Sequence, residues 1–103
     1  MVRYAKKVDN NHAEIRDGLR DYGYEVGDLS AVGGGVPDLM VRIVNGRSLF
    51  LEVKDSRIKK AEQALTDEQE KWWYYNHETT RIVQTLSEAL RECEWVRQRW
   101  ASQ

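Results

Sequence analysis

The chain has 103 residues, with 16 Lys and Arg against 17 Asp and Glu and a formal charge of −1. That length suits a single domain over residues 1–103 with one modest core, and near-neutral bulk charge gives nucleic-acid binding no support of its own, since binding depends on where the basic residues cluster. No apolar run reaches the ~20 residues of a membrane span, the N-terminal MVRYAKKVDNNH has no secretory apolar segment, and the lone Cys93 can form no internal disulfide, so the expectation is a cytoplasmic, intracellular protein.

Asn11, with Glu14 three residues on, fits a capping box opening a first helix that ends at Gly23. Ile15, Leu19 and Tyr22 share the stripe that should meet the sheet. Glu14 is then either the partner in that cap or an acid projecting toward a metal; a side chain turned back to the Asn11 amide points away from a ligand. A short strand is predicted from Tyr24 to Val26, followed by a stretch from Gly27 to Gly35 too rich in glycine for a regular element. Gly33, Gly34 and Gly35 do not make an ATPase-type phosphate loop, because no Gly-Lys-Ser/Thr follows and a strand comes next. No nucleotide cofactor is therefore expected. These glycines either let a polymer backbone approach neighbouring acids or form a flexible turn.

Two strands around Asn45-Gly46 carry the chemistry. In Leu49 to Lys54 the alternation sets Leu49, Leu51 and Val53 on one face and Phe50, Glu52 and Lys54 on the other. Asp38, after Pro37, joins Glu52 and Lys54 only in one hairpin register. A two-residue loop of Asn45 and Gly46 would pair Val44 with Arg47 and put Asp38 opposite Val53. A three-residue loop of Val44, Asn45 and Gly46 with a glycine bulge pairs Ile43 with Arg47 and sets Asp38 opposite Glu52. The bulged loop is predicted, with about 5 Å between the two acidic Cβ atoms. Carboxylates that close repel each other unless a cation lies between them. Mg²⁺ suits one or two carboxylates plus water and phosphate oxygens, and Lys54 beside it could hold or deprotonate an attacking water. The bland alternative is a turn-capping Asp38 with a Glu52–Lys54 ion pair on an exposed strand.

From Asp55 to Ala64 a polar loop or short helical turn carries Arg57, Lys59 and Lys60. Thr66 and Gln69 form a second capping box, opening a helix through Trp72, Trp73, Tyr74 and Tyr75. Adjacent tryptophans lie about 100° apart on a helix, so only one can point squarely into a core. A strand is predicted from Thr80 to Thr85 and a last helix with Ser87 as N-cap. His12 and His77 read as surface residues, and Cys93 as a small helix residue. Basic clusters stand at Arg3, Lys6 and Lys7, at Arg57, Lys59 and Lys60, and at Arg91, Arg97 and Arg99. The order α-β-β-β-α-β-α describes an α/β domain with a mixed central sheet flanked by helices.

Glu14, the glycine-rich lead into Val36-Pro37-Asp38-Leu39, Glu52-Val53-Lys54 and Leu65-Thr66-x-x-Gln69 together resemble the VRR-NUC domain of the PD-(D/E)xK nuclease superfamily, from about Asp9 to Leu90. The resemblance implies a restriction-endonuclease-like core and a Mg²⁺- or Mn²⁺-dependent active site. In it Asp38, Glu52 and the Val53 main-chain carbonyl are metal ligands, Glu14 is a supporting acid, and Lys54 orients or activates water. Gln69 supports the site or touches the substrate backbone, and Gly34, Gly35, Lys59 and Lys60 complete the expected substrate contacts. It further implies a homodimer acting on DNA, preferably branched DNA such as four-way junctions, during replication, recombination or repair. Two other readings compete: a binding module that holds branched or single-stranded DNA without cutting, and a protein-interaction domain that uses the tryptophans.

Overall fold

Two runs of alternating apolar residues form the centre of the molecule. The computed structural model, which describes residues 11–55 and 64–103, orders its elements as α1 (His12–Asp21), β1 (Val26–Asp28), β2 (Leu39–Val44), β3 (Arg47–Val53), α2 (Asp67–Asn76), a 3-10 turn (His77–Thr79), β4 (Thr80–Val83) and α3 (Leu86–Ala101). The strands make one mixed sheet in the order β1-β2-β3-β4, parallel between β3 and β4 and antiparallel elsewhere. The element order is the predicted one, an α/β arrangement with helices on both faces of the sheet. No helix among the described residues is long and apolar enough to cross a membrane.

One sheet face is the core. Leu39, Val41, Leu49, Leu51, Val53 and Val83 pack there against Ile15 and Leu19 of α1 and Ala89, Cys93, Val96 and Trp100 of α3. Each large side chain so buried contributes about 1.5–3 kcal/mol. Burial also pushes the Cys93 thiol up to about 12, so Cys93 acts as a small core residue. The opposite face carries Phe50, whose ring meets Trp72 of α2 edge-on at 5.2 Å between centroids. The Trp72 indole N–H donates to Thr80 Oγ1 at 3.0 Å. Because α2 has no buried residue, such point contacts hold it in place.

The hairpin departs from the expected loop and still reaches the expected register. Asn45 (φ 56°) and Gly46 (φ 74°) form a two-residue turn, the type I′ geometry that Asn-Gly favours, and Val44 pairs with Arg47. The extra residue sits in β2, where pairing shifts between Arg42 and Val44. Beyond that bulge Val41 faces Leu49 and Leu39 faces Leu51. Burial is the reason: without the offset, Leu39 and Val41 would share a face with Glu52 and Phe50, and the apolar set would split across the sheet.

Four other expectations shift. The first strand starts at Val26 and not Tyr24, because the Tyr24 N–H caps α1 by donating to Leu19 O while Gly23 N–H donates to Arg20 O. Tyr22 falls just past the helix and is 71% exposed. His12, expected at the surface, takes its place on the buried stripe, with Nε2 3.1 Å from Asp28 Oδ2. The last helix is capped by Thr85, whose hydroxyl accepts from Glu88 N–H, so β4 ends at Val83.

Candidate metal centre

One residue beyond the Leu39–Leu51 pair, the register brings Asp38 across from Glu52. Asp38 is further fixed by its Oδ2, which accepts the Val53 N–H at 2.8 Å, and by its carbonyl, which accepts the Leu29 N–H. Asp38, Glu52 and Lys54 are 6%, 5% and 9% exposed; the alternation that buries Leu51 and Val53 in the core turns Glu52 and Lys54 to the α2 side. Lys54 Nζ stands 3.9 Å from Glu52 Oε2.

Gln69 joins the set from α2. Its Oε1 accepts both the Thr66 N–H (3.0 Å) and the Lys54 ammonium (3.2 Å), and its Nε2 donates to Glu52 Oε2 (3.3 Å). Thr66 Oγ1 in turn accepts the Gln69 N–H at 3.2 Å, which completes the predicted capping box. Capping the helix and bridging the acid and the lysine are thus one geometry, since the cap turns the carboxamide toward β3.

Gly34, Gly35 and Gln69 line a cleft of about 360 Å³ with Gly33, Thr66, Asp67 and Glu68. What comes close to the glycines is the protein's own helix: a Cβ on Gly35 would lie 2.4 Å from the Glu68 carbonyl oxygen. Lys59 and Lys60, with Arg57 and the N-terminal Arg3, Lys6 and Lys7, lie outside the described residues. In the remaining basic cluster, Arg97 is engaged by Glu94.

Glu14 is exposed in the first turn of α1. Among the described residues no three His, Cys, Asp or Glu gather as a metal-holding group, so Glu14 does not extend the Asp38–Glu52 pair. The α1 residue that reaches this end of β3 is Asn11. Its carboxamide makes no helix cap; Nδ2 donates instead to the carbonyl of Lys54 at 3.1 Å and to that of Gln84. The Lys54 N–H donates to Val83 O at 2.9 Å, so both backbone polar groups of Lys54 are held. Asn11 Oδ1 stays buried with no hydrogen bond, a cost of about 1–3 kcal/mol that the clamp offsets. Asp55, next to Lys54, is 2% exposed, a burial that no periodic signal in the sequence singles out.

Behind the site, on the core face, Asp28 accepts from Ser30 Oγ (2.6 Å), Ser30 N–H (3.0 Å) and Arg16 (3.0 Å). Burial pushes its carboxyl up, but the Ser30, His12 and Arg16 hydrogen bonds outweigh burial and hold it well below the usual carboxylate range.

Chemically, the site offers two oxygen donors side by side, an ammonium next to them, and a carboxamide fixing acid and base together. A scan against models of protein families, a search of curated proteins and a search of solved structures each return no match.

Proposed function

We propose that this chain is a Mg²⁺-dependent endonuclease with a restriction-endonuclease-like core, hydrolysing phosphodiester bonds in DNA, preferably branched DNA, and working as an intracellular homodimer. The observation that supports it best is the gathering of Asp38, Glu52 and Lys54 on one sheet face under Gln69. The donor set fits the ion: an all-oxygen pair of buried carboxylates suits a hard cation that takes its remaining ligands from water and phosphate. Asp38, Glu52 and the Val53 carbonyl would hold Mg²⁺, with Mn²⁺ as a substitute, and once bound it supplies charge neutralisation at phosphate and a lowered pKa for water.

The chain's own groups do the rest. Lys54, anchored at 3.2 Å by Gln69, orients the water that attacks phosphorus in line and neutralises charge on the transition state as the 3′ oxygen departs. Gln69 keeps Lys54 and Glu52 from collapsing into a closed ion pair. Gln69 is the member of the set that also lines the cleft with Gly34 and Gly35, so a scissile phosphate would enter on the Gln69 side of the site.

Purified protein incubated with forks, flaps, four-way junctions and linear duplex, with and without Mg²⁺, tests the reading. Cleavage is expected only with Mg²⁺, strongest on branched DNA, and reduced about 10²-fold or more by Asp38→Ala, Glu52→Ala or Lys54→Ala with circular dichroism unchanged. Full activity in chelator, or in all three variants, rules it out. The near-complete burial of the trio favours as second reading a module that holds such DNA without cutting it; binding in chelator with no cleavage in Mg²⁺ or Mn²⁺ selects that one.

A further inference from the structure

The outward side of α3 carries a feature with no part in the proposed site. Arg91, Trp95 and Arg99 are spaced four residues apart and therefore line up along one face over roughly 12 Å. Trp95 is 51% exposed, while the core side of the same helix is supplied by Ala89, Cys93, Val96 and Trp100. The guanidinium of Arg99 lies over the Trp95 ring, 4.5 Å from its centroid.

Neighbouring acids are already engaged. Glu92 binds Arg81 at 3.0 Å, Glu94 binds Arg97, and Glu88 accepts the Gln84 N–H at 2.8 Å. Arg91 and Arg99 form no ion pair among the described residues, so this stripe has positive charge available although the whole chain is near neutral. Arg91 stands on the ridge between two clefts, one of about 320 Å³ shared with Arg81, Glu92 and Trp95, the other of about 770 Å³ reaching Tyr22 and Tyr24.

We infer that this face of α3 holds an unpaired nucleic-acid strand, Trp95 stacking on a base while Arg91 and Arg99 meet phosphates. The planar ring, covered on one side by a guanidinium, offers its other side to a flat π partner. A peptide of acidic residues alone would use the arginines but has no ring for the indole, and a duplex keeps its base faces stacked. The stripe and the acidic site lie on opposite sides of the sheet, so a strand that reached both would pass round the β4 edge. β4 is an edge of the sheet, and its Ile82 pairs with Glu52 and is 44% exposed. Beyond that edge, on the core side, lie Arg81 and the stripe. The choice of a polyanion as partner rests on the nuclease reading; the contacts themselves use none of its residues.

The test is binding by the full chain in chelator, read by fluorescence anisotropy with a labelled mixed-sequence single-stranded DNA, the same sequence as duplex, and poly-glutamate. Single strands are expected to bind more tightly than duplex. Trp95→Ala weakens them on the order of tenfold with the salt dependence unchanged, and Trp95→Phe keeps most of the affinity. Arg91→Ala combined with Arg99→Ala lowers the slope of log affinity against log salt by about 1.4, or about 0.7 for each phosphate contact. All these side chains are on the surface, so melting temperatures should match the unaltered protein.

Wild-type binding by the variants overturns the inference. So does poly-glutamate binding as tightly as DNA, which would make an acidic protein the partner, and so does duplex binding that equals single-strand binding and ignores Trp95. A protein that binds in the expected way yet cuts nothing in Mg²⁺ refutes the nuclease reading alone. One that cuts, while its stripe variants bind like wild type, refutes this inference alone.

Discussion

Gly35→Ala would add one methyl group where the glycine-rich stretch runs under α2. Its Cβ would stand 2.4 Å from the carbonyl oxygen and 2.5 Å from the carbonyl carbon of Glu68. These are backbone atoms of a helix and cannot rotate aside. With φ at +84°, an alanine there also pays about 1–2 kcal/mol for the left-handed conformation. Overpacking adds about 1–3 kcal/mol, for a total of about 2–5 kcal/mol. Gly33→Ala separates the two contributions: its φ is +76° but nothing lies within 4 Å of the added Cβ, so it should lose only the conformational part. Any gain from a less flexible unfolded chain is common to both and cancels in the comparison. Urea melts should show Gly35→Ala less stable than Gly33→Ala by about 1–3 kcal/mol, roughly 4–24 °C in Tm. Because α2 carries Gln69 onto Glu52 and Lys54, Gly35→Ala should also lose cleavage under conditions where it remains folded, and Gly33→Ala should keep it. Equal destabilisation of the two variants would refute the close approach as the reason for glycine at 35.

Two further outcomes follow from the surroundings of the site. Asn11→Ala removes both bonds to the Lys54 and Gln84 carbonyls, a loss of about 1–3 kcal/mol, but also removes the unbonded Oδ1, so the net destabilisation should be smaller than that loss. In reductive methylation read by peptide mass mapping, Lys54 should then label several-fold faster while Lys71 is unchanged, whereas an equal rise at both lysines would mean general loosening and no specific clamp. The depressed Asp28 carboxyl contributes stability that is fully present above its unfolded value of about 3.9 and is lost as pH falls through the lower folded value. Asp28→Asn should therefore flatten the acid limb of Tm against pH below about pH 4, and parallel limbs in the two proteins would contradict the assignment.

The hairpin shows how sequence and structure divide the work. Alternation alone put Phe50, Glu52 and Lys54 on one face, and a one-residue offset was expected because it sets Asp38 opposite Glu52; the structure shows that the same offset keeps Leu39 and Val41 on the Leu49–Leu51 face. Where the offset falls was not legible. The preference of Asn-Gly for a two-residue turn moved it from the loop into β2 between Arg42 and Val44. Thr66 and Gln69 were legible as a cap because their partners are three residues away. The bridge from Gln69 to Lys54 and Glu52 required knowing that α2 lies across β3.

His12, Asn11 and Glu14 mark the limit of local reasoning. By type and spacing they read as a surface histidine and a capping box, yet His12 is buried on Asp28, Asn11 holds the ends of β3 and β4, and Glu14 is exposed. Which stretches form strands and helices, and which way their side chains alternate, was determined by the chain itself, because periodicity acts over a few residues; the ends of β1 and β4 and the caps of α1 and α3 were not. Which polar side chain meets which was decided only by the tertiary structure: a hydrogen bond joining Asn11 to Lys54, 43 positions apart, depends on how α1 docks on the sheet, and burial of the apolar stripe drives that docking.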